Sequence, residues 1–534
     1  MKSIEQYAFN GCTSLASIVI PHSVTDIGAC AFGECTSLAS VEIPDSVTSI
    51  PSEAFKNCAS LVSIEIPDSV TGIGSQAFYG CSSLTSIIVP SSVLSIGEHA
   101  FRLCNGITNV YYNGTIRDWC GIVFINEKSN PCHKGASLFL EGELLTEAII
   151  PEGMTSIGQY VFCGCTSLVS VEIPDSMVSI YKGALCNCTS LESVEMPDSV
   201  TSIGVSAFSG CTSLESVEIP DSVVIIGDSA FFGSTGLASI EIPDSITTIQ
   251  YETFSNCTSL VSIESPDSVT SIGSYAFKSC TNLASIEIPD SVTMIGQSAF
   301  QDCTSLESVE IPDSVTSIEE STFYGCTGLT SIVIPNSVTS IGDMALYNCT
   351  SLRDIYYDGT FEQWYSISKG NNWILGSYFT VHCTDSIAGP SYGSDGLWSL
   401  DSMYINTNCL DSSDTYGVAW LNEITIVKGD RLFILGWAAQ NETNLDEVTW
   451  TLNGEEKSCS DVYRDRPDVE QVYQNLGYAL SGTHAGFGTD SDYMEMLDVD
   501  ALEAGVYQCQ IGAIIENGTS LLIKSFTLIV VDEA

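Results

Sequence analysis

The chain has 534 residues, of which 44% are hydrophobic and only 15% are charged. Acidic residues outnumber basic ones by 66 to 16, which gives a net charge of −50. A chain this acidic repels nucleic acids and anionic membranes, so its charged partners are expected to be divalent cations or basic proteins. It has no apolar stretch of the ~18 residues that a membrane-spanning helix needs, so membrane insertion is not expected.

A phrase of 23 residues recurs along most of the chain, and one clean copy starts at Ser193 with SVEMPDSVTSIGVSAFSGCTSLE. Each copy opens with an alternating run such as Val171-Glu172-Ile173, which is typical of a strand with Val and Ile inside and Glu outside. The proline after this run ends the strand, because proline cannot sit inside a hydrogen-bonded ladder. We expect the Asp that follows to form a turn by bonding its own downstream backbone. A second short strand, Val-x-x-Ile-Gly, completes this part of the repeat. The prolines stand at positions 21, 44, 67, 90, 151, 174, 197, 220, 243, 266, 289, 312 and 335.

Two further columns predict the core of a solenoid with one rung per repeat. A buried Phe contributes about 1.5–3 kcal/mol, so a stacked Phe column is a principal source of stability. Leu185 and Leu346 fill the Phe slot in two rungs, and Ser234 replaces the Cys of one rung. A linear Cys column does not converge on a tetrahedral zinc site, so we expect buried free thiols that act as small hydrophobic groups. Phe stands at positions 9, 32, 55, 78, 101, 162, 208, 231, 254, 277, 300 and 323, and Cys at 12, 35, 58, 81, 104, 165, 188, 211, 257, 280, 303, 326 and 349.

Cys163 and Cys186 lie outside this column and are 23 residues apart, so they share one slot on adjacent rungs. Neighbouring rungs are about 4.8 Å apart, which falls within the Cα–Cα distance range of a disulfide. We therefore predict a cross-rung disulfide if the protein is exported.

The period is broken once inside the array and again where the repeats stop. The spacing between Pro90 and Pro151 is 61 positions, which is 38 longer than one repeat. The pattern Tyr-Tyr-x-Gly-Thr-x-x-x-Trp occurs both there and near the end of the array. We interpret residues 105–149 and 352–383 as modified rungs with an extra hairpin, the second serving as a cap. Their aromatic residues could form a sugar-stacking platform, but we favour a role in covering exposed core. These residues are Tyr111, Tyr112, Trp119, Tyr356, Tyr357 and Trp364.

Beyond the repeats, residues 384–396 read as a Gly/Ser/Pro-rich linker. Residues 397–534 show short alternating runs separated by turn residues, which predict a small antiparallel β-sandwich. Three cysteines, Cys409, Cys459 and Cys509, leave at least one without a partner in that domain.

A glutamate column is the main candidate for a binding surface. Neighbouring carboxylates about 4.8 Å apart repel each other, which indicates a basic partner or bound divalent cations. The competing interpretation is a solvated face copied by repeat duplication. An Asp column after the prolines could add oxygen ligands for calcium, but turn formation explains it better. Glu42 and Glu65 belong to the glutamate column, and seven consecutive rungs continue it as Glu172, Glu195, Glu218, Glu241, Glu264, Glu287 and Glu310.

The rungs resemble the leucine-rich repeats of the bacterial surface protein A type (BspA-like) over about residues 1–383. The resemblance implies a mainly β, curved leucine-rich-repeat solenoid, and several members of that family are surface adhesins. The last domain looks like sandwich modules appended to bacterial surface proteins, on the residues Gly436-Trp437-Ala438, Arg466-Pro467-Asp468-Val469 and Gly486-Phe487. The opening KSIEQYAFNGC matches half a rung and has no signal-peptide segment, so we expect a further segment upstream.

No catalytic constellation is evident, because no histidine recurs beside the serines and only five histidines exist in the chain. We expect a non-enzymatic, cofactor-free surface or secreted protein that presents an extended acidic face to a protein partner. The alternative is a carbohydrate-binding protein that uses the C-terminal β-sandwich to bind a glycan.

Overall fold

The computed structural model describes residues 2–375, 379–384 and 387–388, and, between 398 and 531, the backbone of the strands alone. The chain divides into two compact units. The first comprises Met1–Gly328, Ser340–Asn348 and Lys369–Trp373, and the second comprises Leu329–Thr339, Cys349–Ser368 and Ile374–Ala534.

Each rung of the first unit contributes two short strands, as the alternating runs predicted. Equivalent strands of successive rungs pair in parallel with a register of 23 residues, so that Val171 pairs with Val194. The regular rung is interrupted at residues 283–289, where no strand forms. The first strands are Ser17–Val19, Ser40–Glu42, Ser63–Glu65, Ser86–Pro90, Asn109–Asn113, Ser137–Leu140, Glu147–Ile149, Ser170–Glu172, Ser193–Glu195, Ser216–Val217, Ser239–Glu241, Ser262–Glu264 and Ser308–Glu310. The second strands are Ser3–Ile4, Asp26–Ile27, Ser49–Ile50, Gly72–Ile73, Ser95–Ile96, Val123–Phe124, Ser156–Ile157, Ser179–Ile180, Ser202–Ile203, Ile225–Ile226, Thr248–Ile249, Ser271–Ile272, Met294–Ile295, Ser317–Ile318 and Ser340–Ile341. Further short strands of this unit are Glu143–Leu144 and Leu346–Tyr347, while Ser368–Lys369 spans the division between the units and Ile374–Leu375 belongs to the second unit.

The turn after the first strand forms where predicted, but serine and the backbone make its bonds. The backbone N–H of Val47 donates to the Pro44 carbonyl at 2.9 Å. The Ser46 hydroxyl donates to the Val24 carbonyl of the preceding rung at 2.5 Å. The same serine bond recurs, for example from Ser268 to Ile246 at 2.7 Å. Asp45, which lies between Pro44 and Ser46, is exposed, and the hydrogen bonds of this turn are made by the backbone and by a serine ladder between rungs instead of by the aspartate.

The predicted aromatic spine is present in the first unit as two stacks of nearly parallel rings. Centroids of successive rings lie 5.3 Å apart for Phe9 and Phe32, and 5.7 Å apart for Phe231 and Phe254. Phe254 and the other inner members of the stacks are fully buried. The first stack runs over Phe9, Phe32, Phe55, Phe78 and Phe101, and the second over Phe208, Phe231, Phe254, Phe277, Phe300 and Phe323.

The cysteine column is buried, as predicted, except for Cys12, which is exposed; no disulfide joins its members, and several of its thiols donate hydrogen bonds. The Cys280 thiol donates to the Phe254 carbonyl of the preceding rung at 3.1 Å. Ser234, the one exception in the column, makes the equivalent bond to the Phe208 carbonyl at 2.8 Å. Both residues are fully buried, so the slot selects a small side chain that can donate. Burial raises the pKa of the Cys280 thiol to about 12, which keeps it protonated as a donor.

Both modified rungs contain a short helix that the sequence analysis did not predict. The first helix, α1 (Ile116–Cys120), begins after Thr115, whose hydroxyl accepts from the Asp118 backbone N–H while the Asp118 carboxylate accepts from the Thr115 N–H. The bond from the Thr115 side chain holds the pKa of Asp118 below its usual value. The Trp119 indole is fully buried and donates to the Val161 carbonyl at 3.0 Å. A 3₁₀ turn, Glu127–Ser129, follows.

The predicted hairpin of the first modified rung is also present, since Ser137–Leu140 pairs antiparallel with Glu143–Leu144. In the second unit, α2 (Phe361–Ser366) has the same capping arrangement, made by Thr360 and Gln363. The signal for both helices is the spacing Thr-x-x-Asp or Thr-x-x-Gln, a capping box.

The second unit contains two groups of strands. Ser331–Ile334, Asp354–Tyr357 and Thr380–His382 pair in parallel, and Ile387–Ala388 closes this sheet as an antiparallel strand inside the predicted linker. The remaining strands are Trp398–Asn406, Tyr416–Val418, Glu423–Val427, Arg431–Ala438, Leu445–Leu452, Glu455–Cys459, Ala485–Phe487, Glu495–Leu497, Gly505–Ile515 and Ser520–Val531. Their pairing is antiparallel except that Glu423–Val427 runs parallel to Ser520–Val531. That exception differs from the all-antiparallel prediction, and the β-sandwich itself, with its bounds, stays a prediction. Cys409 and residues 385–386 and 389–396 of the predicted linker lie outside the described residues.

Candidate partner-binding face

The candidate site is built on the first strands of the rungs, where side chains alternate between the core and solvent. In Ser193–Glu195 the central Val194 is buried while Glu195 is exposed. We call the outward positions equivalent to Glu195 the strand face. In the first unit these positions are Val19, Glu42, Glu65, Ile88, Tyr111, Phe139, Ile149, Glu172, Glu195, Glu218, Glu241, Glu264, Glu287 and Glu310.

The structure places all seven predicted glutamates in solvent, and it brings four of them into direct cross-strand register. Glu172 pairs with Glu195, and Glu241 pairs with Glu264. Glu218 follows the end of its strand, and Glu287 lies where no strand forms. Parallel strands lie about 4.8 Å apart, so the paired carboxylates repel one another across the ladder.

Nothing in the described part of the chain neutralises this column. Ion pairs between described residues include Lys56–Glu53, His99–Glu98 and His382–Asp354, and none of the seven glutamates takes part in one. Among the same residues, no group of three or more His, Cys, Asp or Glu side chains is arranged to hold a metal ion. The divalent-cation hypothesis stays a prediction that depends on the glutamate column alone.

The aromatic residues of the modified rungs separate into inward and outward sets. Tyr112 and Trp119 are fully buried, with ring centroids 5.1 Å apart, which agrees with the predicted role in covering the core. Tyr111 instead lies on the strand face, where its ring stacks on Phe139 at 4.8 Å. The sequence analysis did not identify Phe139 as a surface residue, although Ser137-Leu138-Phe139 has the same inward and outward alternation as Ser193-Val194-Glu195.

The second modified rung repeats this separation. Tyr357 and Trp364 are buried, with centroids 5.4 Å apart. Tyr356 is 43% exposed and stacks on the His382 ring at 4.7 Å. The His382 Nε2 atom lies 2.7 Å from an Asp354 carboxylate oxygen, which fixes the orientation of the imidazole.

The structure joins Cys163 and Cys186 in a disulfide with Cα atoms 4.6 Å apart. Both residues are buried in equivalent slots of adjacent rungs. Within residues 2–375 and 379–384, no other pair of cysteines forms a disulfide. That this bond forms in the exported protein stays a prediction.

The similarity of this chain to known proteins lies in its repeat region. The family profile of the BspA type leucine rich repeat region matches residues 2–130, 135–261 and 247–368, with six copies. A leucine-rich repeat protein from Bacteroides ovatus is 30% identical over 72% of this chain and 88% of its own, with a TM-score of 0.47. A leucine-rich cell surface protein from Faecalibacterium prausnitzii is 31% identical over 66% of this chain and 90% of its own, with a TM-score of 0.45. No curated protein matches the chain.

None of the helices in the described part of the chain has the length and apolar character needed to cross a membrane. The match to the repeat profile extends over more than half of the chain and coincides with the rungs described above. The chain belongs to the BspA-type leucine-rich repeat family.

Proposed function

We propose that this chain is a non-enzymatic extracellular or cell-surface binding protein, and that its strand face docks a protein partner with a basic surface. The observation that carries the proposal is the row of exposed glutamates on strands whose neighbouring side chains are buried. Stacked rungs present extended surfaces, and repeats of this kind suit protein recognition. The related Faecalibacterium prausnitzii protein is named as a cell surface protein, which supports the location.

The glutamate column is unfavourable for folding on its own, because register pairs such as Glu172 and Glu195 hold like charges on adjacent strands. A basic partner converts this repulsion into attraction when it docks. Charge complementarity of this kind speeds encounter and fixes the orientation of the complex.

The experiment compares two variants of the whole chain that lose the same number of negative charges. The test variant changes five strand-face residues to Gln: Glu172, Glu195, Glu218, Glu241 and Glu264. The matched control changes five exposed turn residues of the same rungs to Asn: Asp175, Asp198, Asp221, Asp244 and Asp267. Both are measured against binders selected from a yeast-displayed library of extracellular protein domains.

We expect the glutamate variant to weaken binding about tenfold or more, while the aspartate variant stays close to the parent chain. Binding should also weaken as sodium chloride rises from about 50 mM to about 500 mM. Equal losses in the two variants would indicate a net-charge effect and contradict the proposal. Selective glycan binding by a chain that captures no protein would favour carbohydrate recognition instead.

A further inference from the structure

The strand face changes its chemistry at three successive strands of the first unit. Ile88 pairs in register with Tyr111, and Tyr111 pairs with Phe139, at positions that hold glutamate in most other rungs. The rings of Tyr111 and Phe139 are stacked with an interplanar angle of 29°. We call these three residues the aromatic patch.

The three residues of the aromatic patch are half-buried and lie on the outer side of their strands, outside the core. The strand neighbours Val110, Tyr112 and Leu138 are already buried at the inward positions, and the Trp119 ring contacts that of Tyr112. An outward aromatic pair on a sheet surface is typical of a binding anchor, because aromatic residues dominate the energetics of interfaces. The second unit independently carries the same feature, in which Tyr356 stacks on His382 at the equivalent strand positions.

Charge identifies the kind of group that fits this patch. Glu65 pairs in register with Ile88, so the acidic column leads directly into the patch. Glu141 and Glu143 are exposed at the hairpin that follows Phe139. The face of an aromatic ring is itself electron-rich, so ring and carboxylates together select a cation.

Arginine suits this surface better than lysine. Its planar guanidinium stacks on aromatic rings and also forms paired hydrogen bonds with carboxylates. Elsewhere in the chain cations of both kinds lie over an aromatic ring, since Lys56 is 5.6 Å and Arg102 is 5.9 Å from the centroid of the Tyr79 ring, so the preference for arginine depends on its planar, bidentate geometry.

We propose that the aromatic patch is an arginine anchor for the basic partner: an arginine of the partner stacks on Tyr111 and Phe139 while adjacent basic residues pair with Glu65 and Glu42. This inference rests on the proposed function and specifies the chemistry of its partner. It separates two contributions to binding, a general attraction from the glutamates and an arginine-specific contact from the rings.

The test uses the whole chain and two fluorescent peptides of equal charge, nona-arginine and nona-lysine. Fluorescence anisotropy measures the Kd of each. We expect the parent chain to bind nona-arginine several-fold more tightly than nona-lysine. Tyr111→Ala and Phe139→Ala should weaken nona-arginine binding about tenfold and leave nona-lysine binding nearly unchanged.

Two variants control for folding and for loss of any exposed tyrosine. Tyr111→Phe keeps the ring and should keep the preference for arginine. Tyr181→Ala removes a tyrosine that is 48% exposed and lies outside the strand face, so it should change neither Kd. Circular dichroism spectra and urea midpoints of all variants establish that the fold is retained.

The proposal is overturned if the parent chain binds both peptides equally, or if Tyr111→Ala weakens both by the same factor. It is also overturned if Tyr111→Ala abolishes binding on a glycan array while the peptide affinities stay unchanged, which would identify a sugar platform. The five-residue glutamate variant distinguishes the two levels of the model. If it weakens both peptides but Tyr111→Ala leaves the arginine preference intact, the acidic face stands and only the anchor fails.

Discussion

Phe254 offers the sharpest test of how the solenoid is held together. Its ring is fully buried, with stacked neighbours at 5.7 Å (Phe231) and 5.6 Å (Phe277). Replacing a buried Phe by Ala costs about 3–5 kcal/mol, because apolar contacts are lost and a cavity remains. Phe254→Leu keeps most of the buried volume and loses chiefly two ring pairs, each worth about 0.5–1.5 kcal/mol. Leu185 shows that this slot accepts Leu.

We therefore expect Phe254→Ala to lower the free energy of unfolding by about 4 kcal/mol and Phe254→Leu by about 2 kcal/mol. Urea unfolding followed by circular dichroism measures both. Because each rung contacts only its neighbours, amide hydrogen exchange should quicken mainly in the rungs around Phe254. Equal losses for Ala and Leu, or exchange that quickens evenly along the array, would refute the stacking argument.

Three further predictions concern the remaining features of the repeats. Replacing Cys163 and Cys186 together by Ser should lower the free energy of unfolding of the oxidised protein by about 3 kcal/mol, since the disulfide closes a 23-residue loop. In the parent chain, alkylation followed by intact mass measurement should show no free thiol at either position. Burial lowers the pKa of His133 to about 4, so the folded chain holds this imidazole neutral while the unfolded chain takes up a proton near pH 6.5. Stability should then fall by about 3 kcal/mol as the pH drops from 7 to 4, and His133→Phe should flatten that part of a urea-midpoint profile. Leu103 has a φ of 64°, a left-handed conformation that Gly80 adopts in the equivalent slot of the preceding rung. Because glycine takes this conformation without strain, Leu103→Gly should raise the free energy of unfolding by about 1 kcal/mol. A lower thermal midpoint for this variant would contradict the prediction.

The repeat could be predicted from the sequence because every rung applies the same constraint. The Val-Glu-Ile alternation determines the inward and outward sides of the first strand, and the confirmed burial of Val171 follows from that period alone. The spacing of 23 also placed Cys163 beside Cys186, since residues one period apart occupy equivalent slots.

The chemistry of the turn and the cysteine column required coordinates. Composition identifies Asp as a turn former and Cys as a small buried group, but not which carbonyl a neighbouring rung presents. Ser46 reaches Val24, and Cys280 reaches Phe254, only because the preceding rung is offset along the solenoid axis. The serine and cysteine columns recur with the period of the repeat, but the period alone does not reveal which carbonyl of the neighbouring rung each side chain reaches.

The aromatic patch was not predicted from the sequence, for a different reason. Tyr111 and Tyr112 are adjacent in the sequence, and the sequence analysis gave both of them the same role of covering exposed core. Adjacent residues on a strand point to opposite sides, and this separates Tyr112 in the core from Tyr111 on the surface. The position of Phe139 beside Tyr111 follows from the parallel pairing of Ser137–Leu140 with Asn109–Asn113, which the sequence does not reveal.

The serine and cysteine ladders give the array a direction. In both, the side chain of a later rung donates to a carbonyl of the rung before it, as Ser268 does to Ile246 and Cys280 does to Phe254. Removing rungs from the carboxyl-terminal side leaves the serine and cysteine side chains of the remaining rungs with their acceptors, but it deprives the Phe254 backbone N–H of the Ala276 carbonyl of the next rung, to which it donates at 2.9 Å. Removing rungs from the amino-terminal side deprives a thiol and a hydroxyl of their acceptors. During synthesis each new serine and cysteine therefore finds its acceptor already in place, whereas the backbone N–H groups of the Phe column wait for the rung that follows.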